Sequence, residues 1–246
     1  MSDTKSERQA SQESVAPEAG IEGPVTDFLV RTQSGQVAFI TDVGAEEAPV
    51  VLGGGRGSAV PSPEYPLATE FVPAKHFRET SGRTIERIVI HITDGQPDHN
   101  RTSAYFQNPD ADGQTVYASA HYIVGRAGEV LQLVEHRHVA FHACSANSNS
   151  IGIEHCARSP KEWGRSDPGM LPTPEQYLAS ARLVRFLCNQ FGIPIDRNHI
   201  LGHCEADPKT SHTDCPNGVW DWEVYMRLIE QADEPAASQT QCAHGP

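Results

Sequence analysis

Between Ile85 and Thr93 the chain reads IERIVIHIT. In an extended segment Ile88, Ile90 and Ile92 share one face and Val89, His91 and Thr93 the other, because side chains alternate along a strand. Both faces are apolar apart from the histidine. That pattern predicts a strand buried on both sides, in a sheet covered by helices whose functional groups lie at strand ends. Further apolar runs follow. Ser119 to Val124 (SAHYIV) and Glu129 to Val134 (EVLQLV) flank Gly125-Arg126-Ala127-Gly128, a hairpin signal, and Asn149 to Glu154 supplies another strand. Between these strands, a short helix is expected to end near Asn108-Pro109, since proline disfavours helix in the residue before it. The period then changes. Thr173-Pro174-Glu175-Gln176 has an N-cap, a proline in the first turn and a capping-box glutamine, and Leu178, Ala181, Val184, Leu187, Cys188 and Phe191 form the stripe of one helix, stopped by Gly192 and Pro194. Ile200-Leu201-Gly202 leads to His203 and a long polar loop, and Val219 to Ala232 predicts a second helix. Upstream, TDFLVRTQSGQVAFITDV alternates on both sides of Gln33-Ser34-Gly35-Gln36, which predicts a hairpin that must pack on something to be stable.

Composition divides the chain. Residues 1–24 are polar and aperiodic, as in a disordered tail; 25–43 hold the hairpin; 44–72 are rich in Gly and Pro and read as linker; 73–232 form the dense domain; 233–246 are again tail-like. GGGRG in the linker lacks the GxxxxGK[ST] spacing of a phosphate loop. A formal charge of −13 excludes a basic nucleic-acid surface and gives no attraction to anionic membranes. No apolar run is long enough for membrane insertion, and the N-terminus lacks the apolar core of a signal peptide, so the expectation is a chain made in the cytoplasm. The six cysteines contain no CxxC pair and are too sparse for a disulfide scaffold.

Chemistry concentrates at three places: His91 at one strand end, Glu154 at another, and the loop from His203 to Cys215. Catalytic zinc takes three protein ligands from His, Cys and carboxylate and keeps a position for water. His91, His203 and Cys215 offer two imidazoles and a thiolate. Glu154, outside that shell, would act as general base. His121, inside a strand, reads as a hydrogen-bonded framework residue.

These segments, IVIHIT, SAHYIV-GRAG-EVLQLV, FHACSANSNSIGIE and ILGHCEADPKTSHTDCPNGVWDW, resemble in order and spacing the zinc-dependent N-acetylmuramoyl-L-alanine amidases, the type-2 amidase and peptidoglycan recognition protein superfamily. The resemblance covers roughly residues 84–222. It implies an α/β fold, a central mixed β-sheet flanked by helices in a single zinc amidase domain, to which the composition and alternation add the 73–232 bounds, the disordered tail and the small β-hairpin extension. It implies Zn2+ held by His91, His203 and Cys215, the residue directly before a proline, with Asp214 the alternative third ligand; it also implies Glu154 as catalytic base, Thr213 facing the oxyanion, and His142 and Asn149 as substrate-binding residues of the groove. Where members carry a tyrosine, this chain has Ala120, which leaves the proton to Glu154.

The function so implied is hydrolysis of the amide between N-acetylmuramic acid and L-alanine in peptidoglycan; the N-terminal extension, unneeded for recycling, and the lack of a signal-peptide core add the expectation of a lytic role on the cell wall after lysis or non-classical delivery, the extension docking to a larger assembly. The alternatives are a muropeptide-binding module without catalysis and a cytosolic muropeptide-recycling amidase.

Overall fold

A computed structural model describes residues 27–31, 37–41, 61–95, 97–107, 118–160 and 169–233. Its strands in chain order are β1 (Asp27–Arg31), β2 (Val37–Thr41), β3 (Glu70–Phe71), β4 (Phe77–Arg78), β5 (Arg87–Ile92), β6 (Tyr122–Val124), β7 (Val130–Gln132), β8 (Val139–Ala140), β9 (Ser150–His155) and β10 (Ile200–Gly202). The helices are α1 (His99–Gln107), α2 (Pro174–Phe191), the single turn α3 (His203–Ala206) and α4 (Trp222–Gln231). The expected tail over 1–24, all but Asp233 of the expected tail over 233–246, and residues 44–60 of the expected 44–72 linker lie outside the described residues. No helix among the described residues is long and apolar enough to cross a membrane.

Six strands form one mixed sheet in the order β10-β5-β9-β6-β7-β3, with only β6 and β7 antiparallel. β5 lies inside it, paired on both sides in parallel, which is why its sequence is apolar on both faces. One face, carrying Ile88, Ile90, Ile151, Ile153, Tyr122 and Ile200, packs on α2 and α4 through Leu183, Val184, Leu187, Leu228 and Ile229. The opposite face starts with Val89 and Ile123 and ends, toward the strand C-termini, in polar groups.

α2 begins as its sequence dictates: Thr173 accepts from the Gln176 N–H, the Gln176 side chain accepts from the Thr173 N–H, and Gly192 closes the helix in the left-handed region at φ 68°. Ala181, Val184, Leu187 and Cys188 are buried as expected. Tyr177 and Leu183 join them, while Leu178 and Phe191 are only partly covered. β1 pairs antiparallel with β2, Leu29 opposite Phe39, as expected of the hairpin.

The packed domain starts earlier than the composition suggests. Residues 61–72, expected as linker, are attached to the sheet: β3 pairs with β7, Tyr65 is 1% exposed between Tyr122 and Phe186, and the Glu64 carboxylate accepts from the Gln132 side chain and the His136 N–H.

Candidate metal centre

Strand register brings the chemistry together. His91 is paired with Glu154 on β9, and Gly202 with Ile90, so His203, the next residue, comes level with His91 on its other side. Three adjacent parallel strands therefore place His203, His91 and Glu154 in one row, strands being about 4.8 Å apart. Cys215 arrives from the loop after α3. Its N–H donates to the His212 carbonyl at 3.3 Å, closing a turn that aims His212 and Cys215 inward. The Ile92 N–H donates to Cys215 Sγ at 3.4 Å. One ligand atom each from His91, His203 and Cys215 lies within 4.8 Å of the others.

The three line a cavity of about 510 Å3 with Glu154, His142 and His212; Tyr105, Arg101 and Phe106 of α1, with Phe141, also line it. Burial sets the protonation of this centre. It holds the His91 imidazole well below its ordinary pKa, reinforced by the neighbouring His203 and His142, and brings His203 down to about 4 and His142 to about 3. All three rings are neutral at pH 7, the form in which imidazole can ligate. Burial alone raises Glu154 to about 8, and its Oε2 is sealed from solvent with no hydrogen-bond partner. An unpaired buried carboxylate oxygen beside two neutral imidazoles and a thiol is what a cation site requires, so the residues fit zinc, a borderline ion that binds nitrogen and sulfur.

The expected site residues divide. His91, His203, Cys215, Glu154 and His142 meet at the cavity. Asp214 is neither in that ligand cluster nor in the cavity wall, and its Oδ2 accepts from Ser159 Oγ at 3.4 Å. Thr213, expected at the oxyanion, is exposed and absent from the cavity wall, because it occupies a central position of the 212–215 turn; its neighbour His212 faces inward, stacked on His203 at 5.4 Å. Asn149, expected in the substrate groove, precedes β9 at its N-terminal end, roughly 16 Å along the strand from Glu154, and its amide donates to Glu86 at 2.7 Å. Ala120 is fully buried in the small cluster around Ile123 and Leu131. His121 is a framework residue as expected, its Nδ1 accepting the Gly152 N–H at 3.0 Å.

Sequence reasoning did not single out Tyr105 or Arg101. Tyr105 is 49% exposed at the cavity lip, and the Glu154 charge adds to burial in raising its phenol. Their only sequence signal is position, since a helix that follows a ligand-bearing strand has to cross above the strand ends.

A family model described as N-acetylmuramoyl-L-alanine amidase matches residues 81–218. N-acetylmuramoyl-L-alanine amidase A of Achromobacter lyticus is 30% identical over 167 residues, 61% of this chain and 86% of that protein. Among solved structures, a mutant endolysin from Bacillus subtilis is similar at 22% identity, covering 65% of this chain and 96% of the other with a TM-score of 0.48. The endolysin amidase LysCS from Clostridium intestinale is similar at 17% identity, covering 66% and 97% with a TM-score of 0.49.

Proposed function

This chain belongs to the N-acetylmuramoyl-L-alanine amidase family, and from that membership we propose that it hydrolyses the amide joining the lactyl group of N-acetylmuramic acid to L-alanine, with zinc held by His91, His203 and Cys215. The observation that carries the reading is the convergence of those three ligand atoms within 4.8 Å beside the unpartnered Glu154 carboxyl. When bound, zinc supplies a Lewis acid for the scissile carbonyl, a lowered pKa for water and a positive charge that favours ionised Glu154. Glu154 takes the proton of the attacking water and returns it to the departing alanine nitrogen, so the bond is replaced by a carboxylic acid and a free amine. His212, facing the cavity beside His203, takes the oxyanion-side position first expected of Thr213, as a hydrogen-bond donor to the carbonyl oxygen. Phe141, Phe106 and Tyr105 give the substrate an apolar wall that limits water near the reacting atoms.

The substrate in this reading is polymeric wall, in a lytic role. Its support is the length of chain before residue 61, more than the sheet and metal centre use and enough to offer a docking segment to a larger assembly. The test is to incubate the zinc-loaded full chain with purified sacculi and, separately, with soluble muropeptide. The reading expects new free alanine amino termini from both and faster release from sacculi. No new amino termini from either substrate overturns the amidase reading, and release from soluble muropeptide alone overturns the lytic one.

A further inference from the structure

His142 enters the cavity wall as a groove residue, yet its hydrogen bonds are spent inside the protein. Its Nδ1 lies 3.0 Å from His91 Nε2, and its Nε2 lies 3.1 Å from Ser150 Oγ. Neither nitrogen is left to read a ligand. The direction of these contacts follows from the serine. Ser150 Oγ is 2.6 Å from the Ala146 carbonyl, which can only accept, so the single hydroxyl proton points there. Ser150 therefore accepts from His142 Nε2–H. A neutral His142 with its proton on Nε2 has a lone pair on Nδ1, and the partner at 3.0 Å must donate: His91 carries its proton on Nε2. The lone pair of His91 is then on Nδ1.

The ring of His142 has little freedom to depart from this arrangement. The Asn147 side-chain oxygen accepts from the backbone N–H groups of His142 (2.9 Å) and Ala143 (2.7 Å). On the other side the ring lies flat against β9, where a Cβ on Gly152 would stand 2.4 Å from His142 Cγ, so glycine is the residue that admits it.

We propose that His142 is a positioning residue which, locked by Ser150, fixes His91 in the Nε2–H tautomer and so presents His91 Nδ1 to the metal. This rests on the reading of His91 as a zinc ligand, and it replaces the substrate-binding role expected of His142. Hydrogen-bonded partners of ligating histidines commonly contribute tenfold to hundredfold in metal affinity.

The test uses the full chain, zinc-stripped and 15N-labelled, with long-range imidazole NMR correlations; the His91 ring is assigned by its loss in His91→Asn. The expected result is protonated Nε2 and unprotonated Nδ1 on His91 in the wild-type chain. Ser150→Ala should let the Nδ1–H form of His91 appear, and His142→Leu should weaken zinc binding, measured by chelator competition, by about tenfold to hundredfold. His142→Asn, whose Oδ1 can accept in place of Nδ1, should bind zinc within a few-fold of wild type, a rescue that loss of packing alone would not give. Wild-type His91 protonated on Nδ1, or His142→Leu binding zinc as wild type does, overturns the proposal. A wild-type chain that binds no zinc overturns the metal-centre reading instead, while the tautomer spectrum still decides the relay. If His142→Leu does not fold, the wild-type spectrum and Ser150→Ala carry the decision.

Discussion

Replacing Glu154 by glutamine should remove activity and, in the metal-free protein, add stability. No protein group among the described residues donates to the buried Oε2 of Glu154, and burial lifts its pKa from 4.5 to about 8. A shift of that size corresponds to roughly 5 kcal/mol against holding the ionised form in the fold. The sign follows from proton linkage: between pH 4.5 and 8 the unfolded chain has released this proton and the folded chain still holds it, so the contribution of this one group to wild-type stability declines as pH rises through that window, against the opposite and larger trend of the buried histidines. Glutamine does not titrate. Urea unfolding in chelator should show Glu154→Gln near wild type at pH 4.5 and gaining with pH, by about 3 kcal/mol at pH 7, levelling above pH 8. The other buried groups titrate alike in both proteins, so the difference isolates this carboxyl. In the zinc-loaded protein the same substitution should bind metal normally and hydrolyse muropeptide about a hundredfold to ten-thousandfold more slowly. A stability difference that is flat with pH would refute the buried, unpaired carboxyl, and near-normal turnover would refute the general base.

Cys215→Ser should lower zinc affinity by at least about tenfold while Asp214→Asn leaves it unchanged, measured by chelator competition. His91→Ala should lose metal and activity together, read by metal analysis and muropeptide turnover. Tyr65→Ala should destabilise the domain by about 3–5 kcal/mol in urea unfolding, because its ring is buried against Tyr122 and Phe186. The metal-free protein should also lose stability as pH falls below 6.5: His203 and His155 are held at about 4, and His142 at about 3, so the unfolded chain binds those protons first, and denaturant midpoints from pH 7 to 4 will show the decline.

The sheet and its site were legible where sequence pattern and position coincide. IERIVIHIT announces a strand buried on both faces, and the parallel register of β5, β9 and β10 then makes His91, Glu154 and His203 neighbours. The α2 boundaries were legible because capping is local chemistry, written in Thr173, Gln176 and Gly192. Three things were not. Residues 61–72 look like linker because Pro61, Pro63 and Pro66 dominate their composition, yet Tyr65 packs on Tyr122 and Phe186 and Glu64 accepts from Gln132 and His136, all far downstream in sequence. Motif position alone points to Thr213 and Asn149, and it does not record which residues a turn projects outward or which end of a strand a loop occupies. The role of His142 depends on one hydroxyl proton aimed at the Ala146 carbonyl, a tertiary detail without any sequence pattern.

The central claim is a three-ligand zinc centre with a carboxylate outside its shell, and anomalous diffraction at the zinc edge from crystals of the zinc-loaded chain tests it most directly. The account expects one peak per chain, about 2.0–2.1 Å from an imidazole nitrogen of His91 and of His203 and about 2.3 Å from Cys215 Sγ, with Glu154 beyond bonding distance. A peak ligated by Glu154 or Asp214, or no peak at this cavity, would contradict it.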